Sequence, residues 1–169
     1  MMEYKLVIGA WVQAIGSFIN AIDPAFVEDD GKEIAKVGNI LQAAGSALVA
    51  DVETNPESKL ANKVQAIGNL VVTTGLYREN ANLEIKGNLI QAAGGGLALL
   101  PSIAEKDLIS FKGDFLQVIG NSMQAISGIK EQTEHIDASL LDEAGAWAQA
   151  VGALLSAIHQ TKRMTSISR

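Results

Sequence analysis

The sequence contains no cysteine, only three prolines and few aromatic residues among its 169 positions. The absence of cysteine excludes disulfide scaffolds, cysteine-ligated zinc, iron–sulfur clusters and thiol nucleophiles. Charged residues make up 19% of the chain and the net charge is −6, which argues against a general nucleic-acid binder. With 48% hydrophobic residues the chain is too apolar to be disordered, and its length predicts one domain with a buried core.

Long hydrophobic runs are also absent. The uncharged segments hold 14 to 18 residues, and each contains a glutamine. They fall short of the about 20 predominantly apolar residues that a membrane-spanning helix needs. The N-terminus lacks the basic region of a secretory signal because Glu3 offsets Lys5, so residues 6–22 are predicted to form a helix of the mature protein. We therefore expect a cytoplasmic protein, and leaderless export stays open.

One motif, Gly-x-x-x-Gln-x-x-Gly, occurs six times and is the strongest pattern in the chain. In the third copy Ala61 stands in place of the first glycine. Successive copies follow one another about every 27 residues, which predicts one recurring supersecondary unit. The glutamines at the centres of the copies are Gln13, Gln42, Gln65, Gln91, Gln117 and Gln149.

Each copy is predicted to lie on one α-helix. Residues 54–57, Thr-Asn-Pro-Glu, offer a capping box and a proline for the first turn of the third helix. Pro101 is expected to mark a break before the fifth helix, followed by a second box over residues 102–105. The second and fourth copies share Gln-Ala-Ala-Gly, and the third and fifth share Ile-Gly-Asn. This two-unit period predicts helices that alternate in direction.

On a helical wheel, the two glycines and the glutamine of each copy form one narrow stripe. Small polar residues such as Ser46 and Asn69 lie beside this stripe and are expected to face solvent, whereas the opposite, apolar arc is expected to be buried. Glycine inside a helix costs about 0.5–1 kcal/mol relative to alanine, and close approach of neighbouring backbones is the simplest compensation. The glutamines are then predicted to be buried and to bond to one another or to a neighbouring backbone. The alternative places them at the edge of the exposed surface.

The first and last copies carry alanines on the polar strip where most of the other copies have asparagine, aspartate or serine. Ala10 and Ala146 are two of these alanines, and Trp11 and Trp147 follow them at matching positions. Either the first and sixth helices pack together and close the bundle, or these four residues belong to an interface between subunits. The tryptophans are expected to lie in the core, or to anchor a partner or a bilayer interface under the second explanation.

The chain has no recognisable catalytic pattern. The two histidines, His135 and His159, do not form the paired Glu-x-x-His motifs of di-iron bundles. Residues 94–96 are three consecutive glycines inside a repeat and have no neighbouring Lys-Ser/Thr, so they do not predict a phosphate-binding loop. We therefore predict that the protein is not an enzyme and uses no catalytic residue, cofactor or metal.

The Gly-Asn-x-x-Gln-Ala-x-Gly form of the repeat, as in residues 38–45 and 87–94, resembles small uncharacterised bacterial repeat proteins. The resemblance covers most of the chain, and it implies no activity, substrate or site.

These observations predict an all-α fold of six mainly antiparallel helices, in a bundle or a compact two-layer array. One domain is expected over residues 1–160, with a frayed basic tail over residues 161–169. The predicted role is a non-catalytic structural or protein-interaction module that self-associates or binds an unidentified protein partner, without nucleic acid. The alternative is a membrane-active, pore-forming or bacteriocin-like protein that is soluble as made. Binding of an apolar ligand between the helices is a weaker third interpretation, because small side chains favour tight packing.

Overall fold

The chain is described by a computed structural model over residues 2–26 and 31–167, and these residues form six α-helices with no strand among them. The predicted all-α fold with six helices is confirmed, and each helix contains one copy of the motif. The helices are α1 (Met2–Phe26), α2 (Gly31–Val52), α3 (Pro56–Arg78), α4 (Ala81–Ala104), α5 (Leu108–Glu134) and α6 (Ser139–Ile167).

Side-chain caps begin three of the helices. The side chains of Asn55, Asn80 and Asp107 accept hydrogen bonds from backbone N–H groups in the first turns of α3, α4 and α5. Pro56 occupies the first turn of α3 as predicted, where its missing N–H would have had no partner within the helix. The cap itself is Asn55 rather than Thr54. The connections that lead to these caps, residues 53–55, 79–80 and 105–107, are two or three residues long, so they place α2 to α5 side by side in sequence order.

The predicted break at Pro101 was wrong, because α4 continues through this proline to Ala104. Ser102 consequently lies in the last turn of α4 and does not cap α5. Its hydroxyl donates to the Asp114 carboxylate over 2.9 Å, which ties this last turn to the neighbouring helix. The hydrogen bond from Ser102 to Asp114 thus holds the last turn of α4, which follows a proline that would otherwise end the helix.

The stretch predicted to be a frayed tail instead continues α6 in its described part, residues 161–167. Residues 168 and 169 of that tail lie outside the described residues. The indole Nε1 of Trp11 donates a hydrogen bond to Thr161 Oγ1 over 3.0 Å. This bond attaches the last turns of α6 to α1, so residue 160 does not mark the end of the helical part of the chain.

The six helices form a closed ring. Each helix packs along the helices next to it in sequence and α1 packs against α6, whereas within the described ranges no other pair brings its backbones together. Neighbouring helices run in opposite directions: Gly9 of α1 lies opposite Gly45 of α2, and Gly16 lies opposite Gly38. The two-unit period of the sequence therefore corresponds to helices that alternate in direction around the ring.

Glycines bring the two helices of each hairpin, α1–α2, α3–α4 and α5–α6, into backbone contact. A Cβ added to Gly45 would lie 2.5 Å from the carbonyl oxygen of Gly9, which is closer than such atoms approach in folded proteins. In the α3–α4 hairpin Ala61 replaces a glycine, and a Cβ added to Gly94 would lie 3.1 Å from the Ala61 carbonyl oxygen, against 2.5 to 3.0 Å for the glycine pairs of the other two hairpins. The stripe of small residues therefore sets how closely the helices approach.

Alanines form the seam between α1 and α6 that closes the ring. One cluster contains Ala10 and Ala14 of α1 with two alanines of α6, and a second contains Ala146 with neighbours from both helices. Beside the second cluster, the rings of Phe18 and Trp147 meet edge to face with their centroids 6.2 Å apart. The first of the two explanations for these alanine-rich helices therefore describes the chain: α1 and α6 pack together.

The side chains that face the interior of the ring are polar or small, and most of the large apolar side chains lie on the outside of the ring. The largest fully buried side chains are Gln42, Asn69 and Asn121, whereas Ile67 is 55% exposed. The expectation that the polar strip faces solvent was wrong, because Ser46 and Asn69 are 0% and 1% exposed. Neighbouring helices pack closely along their glycine stripes, and the polar strip beside each stripe therefore faces the axis of the ring. The apolar arc is left on the outer surface.

Hydrogen bonds to the backbone of their own helix satisfy several of the buried polar side chains, whereas Ser46 Oγ is buried without a partner. Ser17 Oγ donates to the carbonyl oxygen of Gln13 over 3.1 Å, and Asn69 Nδ2 donates to that of Gln65 over 3.0 Å. Thr73 Oγ1 donates to the carbonyl oxygen of Asn69 in the same way, over 2.8 Å. Because each of these groups bonds to the backbone one turn earlier, the free-energy cost of burying it is smaller than for an unpaired group.

Candidate functional site in the ring interior

The glutamines of the odd-numbered helices meet inside the ring. Gln13 Nε2 donates to Gln65 Oε1 over 3.0 Å and to Gln117 Oε1 over 3.1 Å. One amide group of α1 thereby joins α3 and α5, two helices whose backbones do not contact α1. We call these three residues the first triad. It connects the three hairpins across the axis of the ring.

The glutamines of the even-numbered helices form a second triad. Gln149 Nε2 donates to Gln42 Oε1 over 3.0 Å and to Gln91 Oε1 over 3.1 Å. The same nitrogen also lies 2.8 Å from Asn121 Oδ1, so α5 takes part in this layer as well. Three side-chain oxygens therefore surround the two N–H hydrogens of the Gln149 amide.

The direction of the helices separates the two triads. Side chains of an α-helix lean toward its N-terminus, and odd and even helices run in opposite directions here. The backbone of Gln42 lies beside Gly16, and that of Gln13 lies beside Gly45, so the glutamines start at similar heights. Their amide groups then extend toward opposite ends of the ring. The two-unit period of the sequence explains why six glutamines form two groups of three.

Burial makes these contacts energetically important. Five of the six glutamines are buried, with exposed fractions between 1% for Gln42 and 6% for Gln65, and Gln13 is half-buried. Leaving a buried amide without partners costs about 1–3 kcal/mol, so a shift of one helix along its axis would be disfavoured. Pairing is not complete, since Gln42 Nε2 and Asn69 Oδ1 are buried without a hydrogen-bond partner.

A cavity of about 320 Å³, here called the lumen, lies inside the ring next to the first triad. Gln13, Gln65 and Gln117 close its inner end, and all six helices contribute to its walls. Its outer end lies among residues at the starts of α3 and α5 and at the ends of α2, α4 and α6. Hydroxyl and amide groups line much of it, from Asn55, Ser58, Asn62, Ser102, Ser110, Ser156 and Gln160. This polar lining does not suit the apolar ligand considered from the sequence.

One carboxylate lies deep in the lumen. Asp114 is one turn before Gln117 on α5, and it accepts the 2.9 Å hydrogen bond from Ser102 of α4. Burial raises the pKa of Asp114 to about 6, although the Ser102 bond opposes this effect and the negative charge of Asp107 adds to it. Within the described part of the chain, no basic side chain forms an ion pair with this carboxylate.

The mouth of the lumen contains an acid–imidazole contact. His159 Nε2 of α6 lies 2.7 Å from Asp107 Oδ2, at the cap of α5. Burial alone would raise the pKa of Asp107, but hydrogen bonds from Ser110 and Ile109 and the charge of His159 lower it below its usual range. The sequence did not predict this contact, because 52 residues separate the two groups along the chain and only ring closure brings them together. His135 instead ends α5 in a left-handed conformation with φ of 56°.

The opposite end of the ring holds a second half-buried carboxylate, Asp142 of α6. Burial raises the pKa of Asp142 to about 6, and the negative charges of Glu131 and Glu84 act in the same direction. Burial also raises the pKa of Glu84, although the positive charge of Lys32 opposes it. Across the described residues, no group of three or more histidine, cysteine or acidic side chains could hold a metal ion.

The outermost surface of the ring is apolar. We call the positions two residues before and two residues after each motif glutamine the waist, and eleven of these twelve residues are apolar. Ile67 and Leu89 are 55% and 48% exposed, and Trp11 and Trp147 also lie on the waist, 38% and 41% exposed. Ala10 and Ala146, by contrast, are buried in the α1–α6 seam. The waist consists of Trp11, Ile15, Ile40, Ala44, Lys63, Ile67, Leu89, Ala93, Phe115, Ile119, Trp147 and Val151.

The fold and interior together define a closed antiparallel ring of six helices with a polar core. The profile of a family of unknown function, DUF6944, matches residues 4–157, and the chain belongs to this family. No curated protein and no solved structure matches the chain. The family implies no activity for the chain.

Proposed function

We propose that the protein is a non-catalytic structural module that associates with further copies of itself through its waist. The observation that carries this proposal is the apolar character of the outermost positions on all six helices, where a soluble helix ordinarily has charged residues. On soluble monomers the largest contiguous apolar patch is about 300–600 Å², and larger ones mark interaction sites. The waist passes around the whole ring, so it can be covered only by contacts on several sides of the protein.

Copies of the same chain can supply that environment. Equivalent positions of different helices carry similar residues, such as Trp11 and Trp147, or Ile15 and Ile67. A surface that suits a neighbour on one side of the ring is therefore present again on other sides. Homo-oligomers are built from such repeated use of one surface, and each additional contact buries more of the apolar band.

Lysines close to the waist favour association between copies over insertion across a bilayer. Lys63 lies on the waist itself, and Lys86 and Lys112 lie five residues before their glutamines. Five residues of α-helix rise about 7.5 Å, whereas half of the hydrocarbon core of a bilayer is about 15 Å. The uncharged band shared by all helices is thus shorter than a bilayer core requires.

Light scattering after size-exclusion chromatography tests the proposal. We expect a concentration-dependent mass above the 17.8 kDa of one chain. The substitutions Ile67→Glu and Leu89→Glu should shift the protein toward the monomer because they place charge on the waist. Asn82→Glu, at an exposed site near the start of α4 and off the waist, is the matched control and should leave the mass unchanged. A wild-type monomer at every concentration, or equal masses for all variants, would overturn the proposal, provided that circular dichroism shows intact helices.

A second candidate function, action on membranes, is favoured by α1. Residues Met2–Ile22 are long and apolar enough to cross a bilayer by length and composition, with a mean hydropathy of 1.4, and 33% of the most apolar stretch is buried. Flotation with anionic liposomes, combined with a dye-leakage assay, distinguishes the two candidates. Flotation with leakage would support the membrane function. Protein that stays at the bottom without leakage would leave association between copies as the better account.

A further inference from the structure

We propose that the lumen is a binding site for a small aliphatic amine, with its ammonium group held by the Asp114 carboxylate. This proposal concerns the inside of the ring, whereas the proposed self-association concerns the outside. Either can therefore fail without the other.

The lumen has the size and enclosure of a small-molecule site. Its volume of about 320 Å³ is at the lower end of the about 300–1,000 Å³ found for ligand pockets. All six helices contribute to the wall, so the shape of the lumen depends on the closed ring. The hydroxyl and side-chain carbonyl oxygens in the wall can accept hydrogen bonds from N–H donors.

The charge of the lining selects a cation. Among the described lining residues only Arg163, at the mouth, is basic. Negative charge concentrated in a low-dielectric cleft raises the local concentration of cations. The acidic lining residues are Glu3, Glu53, Glu105, Asp107 and Asp114.

Asp114 is the member of this set that lies deepest, next to the first triad. Asp114 is half-buried, and carboxylates withdrawn from water are normally paired with a positive charge, because an isolated charge loses its hydration on burial. Asp114 has one hydrogen bond, from Ser102, and no ion pair within the described part of the chain. An ammonium group entering the lumen would supply the missing positive charge. The raised pKa of Asp114 agrees with a carboxylate whose charge is not compensated in the free protein.

The same surroundings favour an amine over a metal ion. Divalent cations bind where several carboxylates converge, and no cluster of three metal-ligating side chains exists among the described residues. One carboxylate surrounded by hydroxyl and amide groups matches an ammonium group, which donates three hydrogen bonds from a single charge. Because the cavity extends from Asp114 to the acidic mouth, a second amino group on the same ligand would meet the outer carboxylates.

Isothermal titration calorimetry with putrescine and spermidine, at neutral pH and on the full-length protein, tests this site. We expect saturable binding with one ligand per chain. Asp114→Asn should lower the affinity at least tenfold, since it removes the charge and keeps the shape. Asp137→Asn removes the same charge from an exposed position between α5 and α6, away from the lumen, and should leave the affinity unchanged.

Three outcomes would overturn the proposal. No heat of binding at millimolar amine would show that the lumen takes no such ligand. Equal affinities for the wild type and the Asp114→Asn variant would show that any amine binds to surface acids. Displacement of the amine by equimolar magnesium ions would show that the site does not select amines. Circular dichroism of the Asp114→Asn variant checks that a lost affinity does not reflect unfolding, and the Asp137→Asn variant reports the effect of net charge alone.

Discussion

Replacing Gly45 by alanine tests the close backbone contact that shapes the ring. A Cβ at this position would lie 2.5 Å from both the Gly9 carbonyl oxygen and the Gln13 backbone nitrogen. These atoms belong to the backbone of α1, so no side chain can rotate to make room and the two helices have to separate. Overpacking of this kind costs about 1–3 kcal/mol, whereas alanine gains about 1 kcal/mol over glycine in helix propensity. We expect the free energy of unfolding to fall, by up to about 2 kcal/mol.

Gly96→Ala is the matched control, because a Cβ at Gly96 would meet no atom within 4 Å. This variant should gain about 0.5–1 kcal/mol from helix propensity alone. Urea unfolding followed by circular dichroism measures both free energies, and a difference of 1 kcal/mol corresponds to about 2–4 °C in the midpoint of thermal unfolding for a chain of this size. If Gly45→Ala proved as stable as Gly96→Ala, the proposed backbone contact between α1 and α2 would be refuted.

Three further changes probe the interior and the surface. Gln149→Leu should destabilise the fold by about 2–4 kcal/mol, because it leaves the Gln42, Gln91 and Asn121 oxygens without their shared donor. The control Gln132→Leu, at an exposed site, should change the free energy of unfolding by less than about 0.5 kcal/mol. Burial raises the pKa of Asp114 to about 6, so the protonated carboxyl group contributes to the free energy of unfolding. This contribution is complete below about pH 4 and is lost as the pH rises through 6, by at most about 3 kcal/mol. Asp114→Asn should remove this part of the pH dependence, as measured by urea unfolding between pH 4 and 8. Asp51→Asn breaks an exposed ion pair and should alter the midpoint of thermal unfolding by no more than the experimental error.

The helices could be predicted from the sequence because their signals are local. The motif spacing predicts six helices, and Pro56 marks the start of α3 where it was expected. The signal at Pro101 failed because a tertiary contact, from Ser102 to Asp114, stabilises a turn that local rules would end. Thr161 is a similar case, since its bond to Trp11 joins parts of the chain that are 150 residues apart.

The orientation of the helices could not be predicted in the same way. A helical wheel shows that Ser46 and Ile40 lie on different faces, but it does not show which of these faces turns inward. The usual rule buries the apolar face, and it was wrong here because glycine stripes require their own face to pack. The lumen could not be predicted from the sequence either, because it forms only where six helices close into a ring and leave space beside the first triad.

Cysteine accessibility tests most directly whether the polar face lies inside the ring. The chain has no cysteine, so a single one can be placed by Ala44→Cys on the exposed waist or by Ser46→Cys at a site that is 0% exposed. Both variants would be made in the Ile67→Glu background, so that association between copies does not shield the waist. We expect rapid reaction of the Ala44→Cys variant with a maleimide and slow reaction of the Ser46→Cys variant. The reverse order, with position 46 reacting rapidly and position 44 protected, would contradict this expectation.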